Sequence, residues 1–498
     1  YGGIMSGEHG DGLARSALNP RIFGPELYRA MQEVKQAFDP AGIMNPGKIV
    51  NGPPMTENLR FGPGYRTTEL ITVFDWSSDQ GFAGAIEMCN GAGVCRKTGS
   101  GTMCPSFMAT RDEQDSTRGR ANALRNAMAG RIPQQELLAP EMYDVMDLCL
   151  GCKACKSECP SSVDMAKIKS EFLVHYYHEN GLPLFNRLMG LLPTINELLF
   201  RFGRPLIPLV NTILHSGVAK TLLARIGVHP GRDLPTYAST SLEQWFNNRP
   251  AVTQATAPNG PVILFHDTWV NFNETDVGMA AIRVLEAAGY AVHLAHGKKC
   301  CGRPLITGGQ ADKAKPWIDH NVALLAPHAA QGVPIVGIEP SCILTIRDEY
   351  LTLASDPKRA KVLASQAFTF EEFVVREAEA GRFSAKWKDS AGHALLHGHC
   401  HHKALVGNDV TVAALKLAGY GVEVIPSGCC GMAGDFGYET DHYAVSKAVG
   451  EDRLMPAVRA AAADTTIVAS GTSCRHQIED FGDRQALHLA QALDQAIG

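Results

Sequence analysis

Residues 149–160 read CLGCKACKSECP: three cysteines at two-residue gaps, a fourth after a three-residue gap, and a proline behind it. Three thiolates on one compact loop can take three corners of an iron–sulfur cubane, while the fourth, stiffened by its proline, points away to a second cluster. Such a loop needs a partner, and Cys89-x5-Cys95-x8-Cys104-Pro105 supplies one. Crossing the two places one 4Fe–4S cluster on Cys149, Cys152, Cys155 and Cys104. The second set is left with Cys89, Cys95 and Cys159, because Ala92 stands where a middle cysteine would be. A three-iron cluster, a non-cysteine ligand, a thiolate borrowed from elsewhere and no second cluster at all each fit that shortage. The competing reading is zinc, which prefers two C-x2-C pairs on separate knuckles.

The 14 cysteines form two blocks of seven, at 89–159 and 300–474, and the first 88 residues have none. They are too sparse for a small disulfide scaffold. Adjacent pairs at Cys300-Cys301 and Cys429-Cys430 suggest thiolate ligands in a reducing compartment. The second block lies in an internal repeat. VILFHDTW (262–269), LEAAGYAV (285–292), KKCCGRP (298–304) and PIVGIEPSC (334–342) are matched by ALLHGHCH (394–401), LKLAGYGVEV (415–424), SGCCGMAG (427–434) and TIVASGTSC (466–474). Each copy alternates short β-rich runs with helical stretches, which predicts a duplicated parallel α/β domain. In the second copy Cys400, Cys429, Cys430 and Cys474 can converge from strand ends on one metal centre, with Gly431 allowing close backbone approach. Redox-active or buried thiols are the other reading. The first copy keeps Cys300, Cys301 and Cys342, with Asp267 near the place of Cys400. His399, His401 and His402 beside Cys400 could ligate metal or carry protons; core or surface histidines fit at least two of them better.

Apolar residues make up 45% and charged residues 19%, so general disorder is excluded. A net charge of −5 gives no electrostatic case for nucleic acid. The length predicts about three domains. The longest apolar neighbourhood, 205–224, is broken by Pro208, His215, Gly217 and Lys220, and predicts no transmembrane helix. Residues 181–250 are Leu-rich and proline-interrupted, which predicts short packed helices covering the cluster domain, with a membrane-surface patch as the alternative. Near the start, Ser6-Gly7-Glu8-His9-Gly10-Asp11-Gly12 sets a carboxylate beside an imidazole in a Gly-permitted turn. Glu8 could bind a divalent metal and His9 act as a general base; a structural turn is the plainer reading. Beyond it Pro25 opens a helix with Leu27, Met31, Val34 and Phe38 at 4-3-4 spacing. The chain opens at Tyr1 directly on this motif and reads as a fragment, which leaves targeting signals unjudged.

Taken together these stretches resemble one family. SGEHGDGLARS (6–16) and FDPAGIMNPGKIV (38–50) resemble the C-terminal end of flavin-linked 2-hydroxy acid dehydrogenases of the vanillyl-alcohol-oxidase fold class. The paired cysteine motifs and Cys-Cys-Gly repeats resemble the iron–sulfur subunits of glycolate oxidase and of anaerobic glycerol-3-phosphate dehydrogenase, and the Cys-Cys-Gly subunit of heterodisulfide reductase. All in one chain, they resemble fused FAD/iron–sulfur dehydrogenases of D-2-hydroxyglutarate or D-lactate. The fold class implied is multidomain α/β and α+β. It comprises a remnant of a flavin-oxidase C-terminal domain (1–55), an α-helical two-cluster ferredoxin-like domain (75–180), a helical linker (181–250) and a duplicated α/β Cys-Cys-Gly domain (258–355 and 390–495).

The resemblance implies that Glu8 helps hold a divalent metal (zinc, manganese or iron) facing the substrate. It makes His9 the base that takes the hydroxyl proton, and sets Asn45 and Lys48 in the turn that closes near the flavin. Thr345 and Gln477 stand where heterodisulfide reductases end their C-x2-C motifs, so that family's five-thiolate cluster is not expected. The expected cofactors are FAD, bound mostly upstream, a 4Fe–4S cluster and a second iron–sulfur centre. The expected partners are a D-2-hydroxy acid and a quinone or carrier-protein electron acceptor, in the cytoplasm or peripherally on the inner face of the plasma membrane. The alternative is a stand-alone iron–sulfur electron-transfer subunit, against which the Glu8-His9 turn argues.

Overall fold

Strands buried on both faces need near-continuous apolar sequence and a parallel sheet with helices on each side. The computed structural model, which describes residues 3–6, 8–59, 62, 64–249, 257–383 and 385–498, shows this twice. Among those residues β1 (Pro261–Phe265), β2 (Ala291–Leu294), β3 (Ile335–Gly337) and β4 (Ala367–Thr369) form a parallel sheet in the order β2-β1-β3-β4. β5 (Gly392–Leu396), β6 (Tyr420–Val424) and β7 (Thr466–Val468) form a second, in the equivalent order β6-β5-β7. The two-residue period of a strand divides each between two cores. Val262 and Leu264 of β1 and Ala394 and Leu396 of β5 enter one core shared by both sheets; Ile263, Phe265 and Leu395 enter the other.

The duplication runs past the cysteines. β7 meets Leu487 in a parallel bridge where β3 pairs with β4. Thr369 and His488 then each start a helix (Phe370–Glu379 and Leu489–Ala496) with a reciprocal capping box.

The ferredoxin-type region is helical, with Pro105–Thr110, Thr117–Met128, Pro140–Asp147, Ala154–Glu158 and Met165–Asn180 as its main elements. It shares the second core with the inner faces of both repeats. The irregular segment that leads into it is pinned by the fully buried Glu171, which accepts from the amides of Val73 and Phe74 and the indole of Trp76.

Residues 184–224 form the helices Leu184–Phe202, Ile207–Leu214 and Gly217–Ala224. They depart from the expectation of a closed cover over the cluster domain. One side packs on the first repeat, with Phe200 4.8 Å from Phe272. The other leaves Leu191, Ile195, Leu198, Phe202, Leu209, Ile213 and Val218 exposed. Among the described residues no single helix is long and apolar enough to cross a membrane; one pair, bent by 76° at its break, reaches that length together.

Chain contacts divide the protein into two units, Tyr1–Thr68 and Glu69–Gly498. In the smaller, the Asn19–Phe38 helix breaks at Gly24 (φ 77°), so Pro25 opens its longer part. Ser16 Oγ accepts from the Ile49 amide at 2.8 Å, and the Asn19 amide group donates to Asp11 and to the Ile49 carbonyl. These bonds join the glycine-rich stretch to the Asn-Pro-Gly-Lys turn.

Candidate metal centres

Gly151 and Lys153 take left-handed backbone conformations (both φ 61°), which coil the Cys149–Cys155 loop back on itself. Cys104 caps the helix that Pro105 opens. The outcome is that Cys104, Cys149, Cys152 and Cys155 line one space, the crossed set that the spacing predicts. Burial pushes the Cys152 and Cys155 thiols well up, so a metal entering here displaces protons. The fully buried Arg120 guanidinium lies 3.7 Å from Cys104 Sγ and interacts with Cys149. It supplies the positive charge that clustered thiolates need. Four sulfurs, a buried cation and no carboxylate in the lining fit a 4Fe–4S cluster.

Cys89 and Cys95 are buried and Cys159 half-buried. Burial pushes the Cys95 thiol up, with Cys104 and Cys89 adding to it, and its sulfur accepts from the Arg118 amide at 3.4 Å. Glu158 accepts from the amides of Thr102 and Met103, which ties the Cys159 turn to the Cys104 loop. The Arg118 guanidinium covers the Gly91–Gly93 turn, where a fourth thiolate would stand.

In the second repeat four thiols and a histidine meet. Cys400 opens the Cys400–Leu405 helix, Cys474 is the third residue of the Thr472–Gly482 helix, and Cys429-Cys430 follow β6. Hydrogen bonding to Cys400 pushes the Cys429 thiol up, and hydrogen bonding to Cys430 does the same to Cys474. Gly431 lies at φ 97°, where a Cβ would stand 2.1 Å from the Ser446 carbonyl oxygen, so only glycine permits this turn. A Cβ on Gly471 would meet the His399 ring at 2.3 Å.

His397, one residue beyond β5, offers a ring nitrogen within 4.8 Å of the Cys430 and Cys474 sulfurs. Its Nδ1 bonds Ser427 Oγ at 2.7 Å, and its buried Nε2 finds no oxygen or nitrogen partner among the described residues. Sequence reasoning weighed its neighbours and passed it over; the signal was its place at a strand's carboxyl end, where open α/β sheets hold ligands. The three weighed histidines have other partners. His399 accepts from the His401 amide and approaches Glu339 at 3.7 Å, and burial pushes it down to about 3. His401 Nε2 bonds the Gly151 carbonyl at 2.9 Å, and His402 Nε2 lies 3.4 Å from Thr369 Oγ1.

The two thiol sets adjoin. Cys152 interacts with Cys429, and the half-buried Lys403, its ammonium held by the Ser427 and Gly428 carbonyls, faces Cys400, Cys429, Cys474 and Cys152. In the first repeat Cys301 Sγ lies 3.2 Å from Cys342 Sγ, and the Cys300 and Cys301 thiols are hydrogen-bonded. Asp267 caps the Thr268–Phe272 helix, so it aligns with His399, and Thr268 takes the place of Cys400. Burial, with Glu339 nearby, pushes the Asp267 carboxyl up to about 7. A charge network absent from the sequence reading locks this repeat to the cluster loop: the buried Lys153 pairs with Asp348 and Glu349, Lys156 with Asp348 at 2.5 Å, and Arg303 with Glu349 at 2.8 Å.

In the smaller unit Glu8, His9, Asn45 and Lys48 are exposed, and Gly7 lies outside the described residues. Among the described residues no further His, Cys, Asp or Glu donors close around Glu8 and His9.

Known families match three stretches in order: the C-terminal domain of FAD-linked oxidases at 1–49, a 4Fe–4S dicluster domain at 85–163 and a cysteine-rich domain at 263–347. The chain thus carries, in order, a flavin-oxidase C-terminal domain, a 4Fe–4S dicluster domain and a cysteine-rich domain. More particularly, it is similar along nearly its whole length to D-2-hydroxyglutarate dehydrogenases. That of Pseudomonas putida is 30% identical over 98% of this chain and 51% of its own length; that of Escherichia coli is 28% identical over 100% and 52%. One subunit of the anaerobic glycerol-3-phosphate dehydrogenase of E. coli is 28% identical over 60% of this chain and 75% of its own length. The chain spans about half the length of the curated dehydrogenases it matches.

Proposed function

We propose that this chain is the electron-relaying C-terminal part of a dehydrogenase that oxidises a D-2-hydroxy acid to the 2-oxo acid, with D-2-hydroxyglutarate favoured and D-lactate next. The observation that carries the reading is the continuous run of thiols from Cys104, Cys149, Cys152 and Cys155 to Cys429, Cys400 and Cys474, bridged by Lys403. When bound, the flavin supplies the hydride acceptor and the iron–sulfur centres supply one-electron carriers. This chain's residues hold and insulate them. Cys104, Cys149, Cys152 and Cys155 would hold the 4Fe–4S cluster, and Cys89, Cys95 and Cys159 three corners of a second centre. Cys400, Cys429, Cys430 and Cys474, with His397, would hold a centre in the second repeat. In the smaller unit Glu8 would contribute to a divalent metal site, His9 would take the hydroxyl proton, and Asn45 and Lys48 would border the flavin. The exposed apolar side of the 184–224 helices suits peripheral contact with the inner face of the plasma membrane.

The test uses the protein with its upstream sequence, purified anaerobically and mixed with D-2-hydroxyglutarate or D-lactate. Bleaching of flavin absorbance followed by cluster reduction supports the reading. A protein that oxidises neither acid with any artificial acceptor contradicts it.

A further inference from the structure

The first repeat keeps three thiols, Cys300, Cys301 and Cys342, that the proposed relay does not use. Strand register equates Leu264 with Leu396, so Phe265 stands in the place of His397, and Thr268 takes the place of Cys400. Two of the five donors that meet in the second repeat are therefore absent from the first. The remaining sulfurs are crowded. Cys301 is buried, with its Sγ 3.2 Å from Cys342 Sγ and a hydrogen bond to the Cys300 thiol. Two sulfurs that share a tetrahedral ion at about 2.3 Å stand about 3.8 Å apart, and this pair is already closer. Adjacent Cα atoms, about 3.8 Å apart, fall short of the roughly 4.4–6.8 Å that a disulfide prefers. Cys300 is thus a poor partner for Cys301, and Cys342 is the one in reach.

A proton acceptor stands beside the pair. Asp267 Oδ1 accepts from the amides of Trp269 and Val270, while its buried Oδ2 has no partner among the described residues. Its carboxyl interacts with Cys342. The hydrogen bond with Cys301 lowers the Cys342 thiol, but burial and the charge of Asp267 outweigh it and push the thiol up to about 11. The reduced pair therefore holds its protons at neutral pH. The pair also adjoins the cluster loop. Arg303 interacts with Cys301 and donates to Glu349 at 2.8 Å, and Glu349 pairs with Lys153 between Cys152 and Cys155.

We propose that Cys301 and Cys342 form a reversible dithiol–disulfide couple that holds the two electrons and two protons of one hydroxy acid oxidation. The proposal rests on the dehydrogenase reading, because that reaction supplies the electrons. Oxidation of the hydroxy acid turns its C–OH into C=O and releases two electrons and two protons. At the couple the S–S bond breaks, each sulfur gains one electron and one proton, and two thiols result. The reverse step rejoins the sulfurs and returns two electrons through the relay to its acceptor, a quinone or a carrier protein. The two protons leave through Asp267 to solvent. A two-electron couple suits a chain whose other centres would carry electrons singly.

The test takes the enzyme with its upstream sequence, loaded with flavin and iron, under anaerobic conditions. Samples poised with redox mediators at oxidising or reducing potential are quenched in acid and alkylated, and their peptides are mapped by mass spectrometry. Oxidised wild type should yield the Cys301 and Cys342 peptides joined, and reduced wild type both alkylated. In coulometry wild type should take up about two more electrons per chain than Cys342→Ser at equal iron content. Whichever of D-2-hydroxyglutarate and D-lactate the enzyme oxidises should free the same two thiols. Free Cys301 and Cys342 at every potential overturn the proposal, as does zinc or iron that wild type holds and Cys342→Ser loses. The mapping needs wild type alone, so it judges the couple even where Cys342→Ser fails to fold. A disulfide that dithionite opens, but that stays closed while a hydroxy acid is oxidised, sinks the proposal and leaves the dehydrogenase reading standing. Failure to oxidise any 2-hydroxy acid sinks that reading, while the mapping still judges the couple.

Discussion

Raising the pH from 6.5 to 9 should weaken the fold through His442. Its side chain is buried, stacked on Phe436, and paired with Asp147 at 2.7 Å and Glu439 at 3.4 Å. Burial works against its charge, yet the two carboxylates push the imidazole from 6.5 up to about 9. The folded protein therefore holds this proton more tightly than the unfolded chain. The stabilisation is complete below pH 6.5 and is lost as the pH rises through 9. At about 1.4 kcal/mol per pH unit, that interval is worth about 3 kcal/mol. Asp435 and Asp267, pushed up mainly by burial to about 6 and about 7, contribute stability below 3.8 that is lost as the pH rises through those values; that loss is common to wild type and the variant and cancels in the comparison. The assay is chemical unfolding of wild type and His442→Gln at pH 6.5, 7.5, 8.5 and 9. Wild type should lose about 3 kcal/mol more than the variant across the series. Parallel losses in the two proteins would refute the reasoning.

Gly431→Ala places a Cβ 2.1 Å from the Ser446 carbonyl at a left-handed φ. It should cost about 3 kcal/mol or more and empty the second repeat of metal, read by unfolding and by metal analysis. Lys153→Met withdraws a buried cation from Asp348 and Glu349 and should destabilise by about 3 kcal/mol, the lower end for a broken buried pair. Lys156 and Arg303 leave each carboxylate one partner; an unchanged unfolding midpoint would contradict this. His9→Ala, in the protein with its upstream sequence, should slow flavin reduction by the hydroxy acid about 10²–10⁴-fold and leave the cluster absorbance alone. A wild-type rate would remove the base role.

Local chemistry was legible in the sequence wherever it is written in spacing. The Cys149–Cys155 gaps, the proline behind Cys104 and the repeat landmarks each depend on short stretches, and each has its structural counterpart. The duplication was visible through β1 and β5, but its last part was hidden: β4 and the Leu487 bridge share little sequence and show only as pairing. His397 was missed because a lone histidine after a strand looks like any other until Cys430 and Cys474, 33 and 77 residues away, fold against it. The Lys153–Asp348–Glu349 network was illegible for the same reason, since its partners lie about 195 residues apart. Apolar content alone pointed to a covered core for 184–224. Helical spacing places Leu191, Ile195, Leu198 and Phe202 together, but only packing shows that this side faces outward.

The most direct test of the relay is iron analysis, with low-temperature paramagnetic resonance of the reduced protein, on Cys104→Ser beside Cys159→Ser. Cys104 shares its space with Cys149, Cys152 and Cys155. Cys104→Ser should therefore lose about four irons and the cubane signal, while Cys159→Ser keeps that cubane. A Cys159→Ser protein that loses this cubane while Cys104→Ser retains it would contradict the crossed ligand set on which the relay is built.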